Sequence, residues 1–283
     1  MRDICLIDKT FDSTQTLLYH LSIQISLDGF YFTVLDVPKG KYVVLNGHHF
    51  FLKRPRLLLK HIREVIDSEE IFKHEFKSVE ILYASNKFTL VPQAFYGRGS
   101  VDKYLWFNNI QEKGFIVEKN LFPKAECWCL FDIPQNLSEY LFARFPKSIV
   151  KHNLFPLVEG ALKRNRAYSE NQQVHLNFFR ENFEIVVLKD SKLILCNIFY
   201  YKTDRDVLYH VLYTFEQLKL IAENTELIIH GQLPQVSPVY HLFKKFVKLT
   251  AFARLDTTYQ YSYTFSQLPE HYFSSLLSVY KCE

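Results

Sequence analysis

The sequence predicts an α/β protein built from two copies of one unit, each a mixed five-stranded sheet flanked by helices. Three observations lead there. One hairpin occurs twice: Ile23 to Asp36 and Leu176 to Lys189 both run from an apolar strand through an acidic residue and a turn former (Asp28-Gly29, Glu181-Asn182) into a second strand that opens with Phe and closes on Val-Leu. The same order of elements follows each hairpin, namely a third strand, an amphipathic helix and another strand. Spacing also repeats, because Glu226-Leu227-Ile228-Ile229 matches Glu80-Ile81-Leu82-Tyr83 in character and a proline falls nine residues after each, at Pro238 and Pro92.

In chain order, Ile4 to Ile7 is an apolar patch suited to an added edge strand. From Leu21 the alternation is clean. Leu21, Ile23, Ile25 and Leu27 point one way and Ser22, Gln24 and Ser26 the other, the pattern of a half-buried strand. Asp28-Gly29 reads as the hairpin turn, with Gly29 expected to supply positive φ. Phe30 to Leu35 returns antiparallel, Pro38-Lys39-Gly40 turns, and Tyr42 to Leu45 makes a third strand. Pro55 opens a helix striped by Leu58, Leu59, Ile62, Val65 and Ile66. Val79 to Tyr83 is the next strand and Pro92 ends the first unit. Phe115 to Glu118, Cys127 to Phe131 and Ile149-Val150 read as strands, Asn136 as a helix cap, and Leu154 to Leu162 as a helix. Residues 163–173 are almost wholly polar and form the best linker. The domains are therefore set at 1–165, with extra elements at 93–165, and 166–283. In the second copy, Asp190-Ser191-Lys192 turns into a third strand at Leu193 to Cys196. Thr203 with Asp206 starts a helix through a capping box. Val239 to Phe246 reads as a helix, Leu249 to Leu255 as a strand and Leu268 to Tyr280 as a closing helix.

Composition bounds the function classes. At 283 residues, 48% apolar and 23% charged, the chain is globular rather than disordered. The 26 Phe and 18 Tyr suit strand cores. A net charge of +4 is far from the basic footprint of a dedicated nucleic-acid binder. Five cysteines without a C-x-x-C pair read as free thiols in a reducing cytoplasm. No apolar run reaches the ~18 residues of a membrane span, and the first residues have no secretory h-region, so the expectation is a cytoplasmic protein.

Three antiparallel strands, a helix, a parallel strand, a helix and another strand, repeated, resemble the actin-like ATPase superfamily with its duplicated ribonuclease-H-like domains. More narrowly, the chain resembles a bacterial family of unknown function assigned to this fold. The resemblance implies two phosphate loops and an adenosine turn. In that superfamily the first loop carries Asp, a spacer, Gly and small hydroxyl residues, so that Asp holds magnesium waters and exposed amides bind phosphate. Here Asp28-Gly29-Phe30-Tyr31 has no spacer and puts rings where Ser or Thr would stand. The second loop, Glu181-Asn182-Phe183, has no glycine. The adenosine turn, His230-Gly231-Gln232-Leu233-Pro234, keeps one glycine of two. The whole chain has only 8 glycines, under half the usual ~7%. Asp28, Gly29, Glu181, Asn182, His230 and Gly231 are the expected remnant of a nucleotide cleft between the lobes.

Other chemistry has weaker support. Gln24 and Ser26 stand on the central strand where a ribonuclease-H-like nuclease would need carboxylates for two metal ions. His48 and His49 are adjacent on a strand and face opposite sides, so only one could join His61 at a metal, and no metal site is expected. Lys53, Arg54, Arg56, Lys60 and Arg63, with a second run of Lys151, Lys163, Arg164 and Arg166, could grip nucleic acid but read first as solvated helix faces. No nucleophile signature or G-x-x-x-x-G-K-[ST] occurs, and no catalytic residue is named. The reading is a pseudo-ATPase that needs no cofactor and works by binding another protein. The alternatives are an active ATPase or kinase using ATP and magnesium through atypical loops, and a nucleic-acid-binding module.

Overall fold

The structure, a computed structural model, describes residues 4–97, 101–165 and 172–282. Its contacts group the chain into two units: Met1–Phe155 with Asp256–Gln267 and Val279–Glu283, and Pro156–Leu255 with Leu268–Ser278. The sequence reading breaks the chain at 165/166 and gives the second lobe everything beyond. The contacts return two C-terminal segments to the first unit.

The first unit contains β1 (Ile4–Ile7), β2 (Tyr19–Ser26), β3 (Gly29–Asp36), β4 (Lys41–His49), α1 (Leu58–Ser68), β5 (Ser78–Tyr83), β6 (Phe88–Pro92), α2 (Val101–Asn108), β7 (Phe115–Phe122), β8 (Cys127–Pro134), α3 (Gln135–Arg144) and β9 (Ile149–His152). After α4 (Leu154–Asn165), the second unit contains β10 (Gln172–Phe178), β11 (Asn182–Lys189), β12 (Lys192–Tyr200), α5 (Asp204–Gln217), β13 (Thr225–Gly231), α6 (Pro238–Phe246) and β14 (Leu249–Phe252). The two-residue β15 (Gln260–Tyr261) belongs to the first unit.

Both main sheets share one order. In the first it is β4-β3-β2-β5-β9, and in the second β12-β11-β10-β13-β14. The first pairs of each are antiparallel and the last two parallel. The duplication reaches single residues. Each third strand carries a bulge opposite the Val-Leu that closes the hairpin: Val34 pairs Val44 and Leu35 pairs Tyr42, skipping Val43, while Val187 pairs Leu195 and Leu188 pairs Leu193, skipping Ile194. The five expected strands are thus present in each unit. In the first unit β1 and β15 also pair with β4 and bring that sheet to seven strands.

A third, three-stranded sheet, β6-β8-β7, occupies the extra region together with α2 and α3. Pro92 accordingly ends β6, a strand the sequence pattern did not separate, rather than the unit. The helix expected to be capped by Asn136 begins two residues earlier, at Gln135 after Pro134, and has no side-chain cap. Leu268 to Tyr280 is not an α-helix. It is turns followed by a 3-10 segment, Leu276–Cys282. The strand expected at Leu249 to Leu255 stops at Phe252. Six of the eleven residues assigned to the linker, 166–171, lie outside the described residues.

The alternation in β2 needs one correction. Both of its faces are buried, including His20, Ser22, Gln24 and Ser26. On the first unit's apolar side, Phe72 packs edge-on against Phe30 and Phe32. In the second, Val207, Val211 and Phe215 of α5 and Phe243 of α6 pack over Leu176, Phe183 and Ile185. Burial of such side chains contributes roughly 1.5–3 kcal/mol each.

Candidate functional site

The first hairpin is tighter than its sequence suggests. Ser26 pairs Gly29 directly, so the two-residue turn is Leu27-Asp28 and Gly29 already belongs to β3. Gly29 does not have positive φ. What requires glycine there is a close approach: a Cβ would stand 2.7 Å from the Tyr31 hydroxyl and 2.8 Å from the His48 carbonyl oxygen. The same ring lies over Gly47, its partner across the strands, where a Cβ would collide with it. Tyr31 is 2% exposed and its hydroxyl is 2.8 Å from Nδ1 of His49. The Asp28 amide donates to the Ser26 hydroxyl at 3.1 Å, and its carbonyl accepts from the Phe50 amide at 3.2 Å.

In the second unit, residues 179–181 join β10 to β11, and Asn182 opens β11 opposite Tyr200, also without positive φ. The Tyr201 amide donates to the Glu181 carbonyl at 3.0 Å and its hydroxyl to the Phe179 carbonyl at 2.6 Å. Glu181 is exposed and lines a cavity of about 590 Å³ with Arg180, Tyr200, Tyr201, Lys202 and Asp206. Asp206 is committed elsewhere, because its carboxylate accepts from the Lys202 and Thr203 amides and completes the α5 capping box. Those bonds hold its pKa below the usual carboxylate range.

Gly231 comes to the same end of the second sheet. Its φ is +77°, and a Cβ would collide with the backbone of Phe178. Its amide donates to the His271 carbonyl at 2.9 Å, and the next amide, of Gln232, to the Phe178 carbonyl at 3.0 Å. His271 in turn reaches the Leu233 carbonyl through Nε2 at 2.8 Å. The structure therefore places Glu181, Asn182 and Gly231 around the end of β10, with His230 beneath.

His230 is buried and belongs to a polar chain across the sheet. Its Nε2 is 3.1 Å from Nδ1 of His175, and its Nδ1 is 2.9 Å from the Ser274 hydroxyl. Gln173 fixes the proton order, because its amide nitrogen donates to Glu226 at 2.8 Å and leaves its oxygen to accept from His175 Nε2. Each ring then carries one proton. Burial first, then neighbouring Arg164, brings His175 down to about 3; burial, then His175, Arg164 and His271, takes His230 well below its usual value.

The other sequence candidates separate. His48 faces Glu69, His49 faces Tyr31 and His61 faces Glu64. Lys151 is not part of a basic surface, since it is buried in an ion pair with Glu80 at 2.7 Å. Arg56 donates to the Lys113 carbonyl, Lys60 pairs with Glu64 and Arg63 stacks on Tyr140. Arg166 lies outside the described residues. Sequence reasoning named Tyr31 and His49 without joining them, and missed His271 and Ser274. Gly47 opposite Tyr31 was an available signal for the first pair. The second pair lies 40 and 44 residues beyond the turn it touches, and nothing in local pattern points to it.

The sequence matches one family across residues 8–249. The chain belongs to the DUF3822 family of proteins of unknown function. A Bacteroides thetaiotaomicron protein with an actin-like ATPase fold and unknown function is 23% identical to this DUF3822 member, and the match covers 86% of this chain and 94% of the other at a TM-score of 0.75. A structure of the PilM–PilN type IV pilus biogenesis complex is 11% identical, with 93% and 98% covered and a TM-score of 0.58. The fold is that of the actin-like ATPases. A comparison with curated proteins finds no match. No described helix is long and apolar enough to cross a membrane.

Proposed function

We propose that this protein is a non-catalytic member of the actin-like ATPase fold that acts by binding another protein. The observation that carries the reading is the seat of Tyr31. Where the superfamily resemblance puts a phosphate against an exposed glycine backbone, this chain lays its own buried ring across Gly29 and Gly47 and ties the hydroxyl to His49. The second unit supports the same reading, since the amides of Gly231 and Gln232 are given to His271 and Phe178 rather than turned toward a ligand. A fold neighbour solved as a complex of PilM with PilN is consistent with partner binding on this scaffold. Titration calorimetry with magnesium and ATP tests it. No binding heat is expected up to millimolar nucleotide, and micromolar binding overturns the proposal. In that event phosphate release lost in Asp28→Asn would establish an active ATPase instead.

A further inference from the structure

The two units treat one sheet edge differently. A constant offset of 151 residues relates the third strands, so Lys41 corresponds to Lys192, Val43 to Ile194, Asn46 to Asn197 and His49 to Tyr200. In the first unit the edge of β4 is covered. β1, Ile4-Cys5-Leu6-Ile7, adds antiparallel against Val44 to Gly47, and β15 pairs with Lys41 and Tyr42. The Asn46 side chain accepts from the Leu6 amide at 3.2 Å. Asp8, the next residue, donates its amide to the Val43 carbonyl at 2.8 Å and holds the Lys41 ammonium at 2.8 Å.

In the second unit β12 has no strand beyond it among the described residues. It is nine residues long and uncharged from Leu193 to Tyr200. Natural proteins blunt such edges with Pro, inward charges or a covering element, because an edge pairs with whatever extended chain arrives. The bulged Ile194 is 46% exposed, whereas its counterpart Val43 is fully buried. The Tyr201 amide points to β11 through its bond to Glu181, so alternation turns the Ile198 amide outward. There it is held locally by the Asn197 side chain at 2.8 Å, the counterpart of the side chain that grips β1 in the first unit.

We infer that β12 is a strand-addition site for an extended apolar segment of a partner protein that ends in an acidic residue. The first unit supplies the chemistry: an apolar tetrapeptide pairs antiparallel, and the carboxylate that follows it meets the lysine at the start of the edge strand. At β12 that lysine is Lys192, exposed and flanked by Lys189 and Asp190. The incoming backbone displaces Asn197 from the Ile198 amide, and main-chain bonds supply affinity while the acid sets register. This deepens the partner-binding reading and rests on it, but the nucleotide calorimetry can fail without touching β12.

The test uses the whole protein and a fluorescein-labelled peptide, Ile-Val-Leu-Ile-Asp-Lys-Thr, read by anisotropy, with a displayed nonapeptide library as the second probe. Saturable binding is expected, with hydrogen-exchange protection of β12. Lys192→Glu weakens it about fivefold, in keeping with an exposed pair, and a peptide with Lys in place of Asp restores it. Ile198→Pro, which removes the outward amide, abolishes binding. The inference is overturned if neither probe binds, or if binding is equal in Lys192→Glu and Ile198→Pro. A concentration-dependent dimer that Ile194→Lys dissolves also overturns it, since a second copy would then be the occupant.

Discussion

Glycine does two kinds of work here, and the residues around each say which. Gly29 seats a ring at ordinary backbone angles, while Gly231 combines positive φ with close approach to Phe178. Gly40, also at positive φ, has nothing within 4 Å of where a Cβ would stand. Gly231→Ala should therefore destabilise the protein by roughly 2–4 kcal/mol, and Gly40→Ala by about 1, because only the first adds a backbone collision to the left-handed strain. Urea unfolding of the two variants checks this, and equal costs would refute it. The Asp28-Gly29 pair shows where residue-level reading stops. A turn was legible from the dipeptide, but its position was not, because the pairing of Ser26 with Gly29 that shifts the turn to Leu27-Asp28 is a cross-strand register the dipeptide does not encode. The His175–His230 contact was illegible for a similar reason. It joins residues 55 apart, and only the parallel pairing of β10 with β13 brings them together.

Among the elements, the hairpins, the order of strands and the α5 start were all readable, since each is fixed by local pattern. Thr203 accepts from the Asp206 amide at 3.3 Å, and Asp206 returns a bond to the Thr203 amide at 2.9 Å. Replacing Thr203 with Ala is expected to cost about 1 kcal/mol. If the loss in a urea titration is below a few tenths, the reciprocal bonds do not carry the helix start. The closing segment was misread because Leu and Tyr spacing in Leu268 to Tyr280 imitates a helix. Its backbone instead turns over residues 270–275 before the 3-10 segment begins. The polar face of β2 was taken as solvated for want of any local sign that Ser78 and Glu80 of β5 would meet it: His20 contacts the Ser78 hydroxyl at 2.8 Å, and Ser22 pairs with Glu80 in register.

Each unit buries histidine that it holds in the neutral form, which sets how the molecule meets acid. In the first unit His152 is buried, accepts the Leu154 amide at Nδ1 and reaches the Ser85 carbonyl at Nε2; burial, only partly opposed by that carbonyl, brings it down to about 4. In the second, His175 is brought to about 3 and His230 falls with it. The unfolded chain titrates near 6.5, so above that pH these groups are neutral in both states and have no effect on stability. As pH falls below about 6.5 the unfolded state takes up protons that the folded state refuses, and each histidine removes roughly 1.4 kcal/mol per pH unit until its folded pKa is reached. Asp8, which burial would raise but hydrogen bonds from Lys41 and Thr10 hold well below the usual carboxylate range, adds to this only below about pH 4, where the unfolded chain takes up a proton that the folded carboxylate refuses. Unfolding free energy should thus drop between about pH 6.5 and 5, with the second unit, which has three such rings in His175, His230 and His271, falling more steeply. Urea titrations at pH 7.5, 6 and 5, followed by hydrogen exchange in each unit, measure it. A flat profile over that range would mean that the buried rings accept protons without disrupting their bonds.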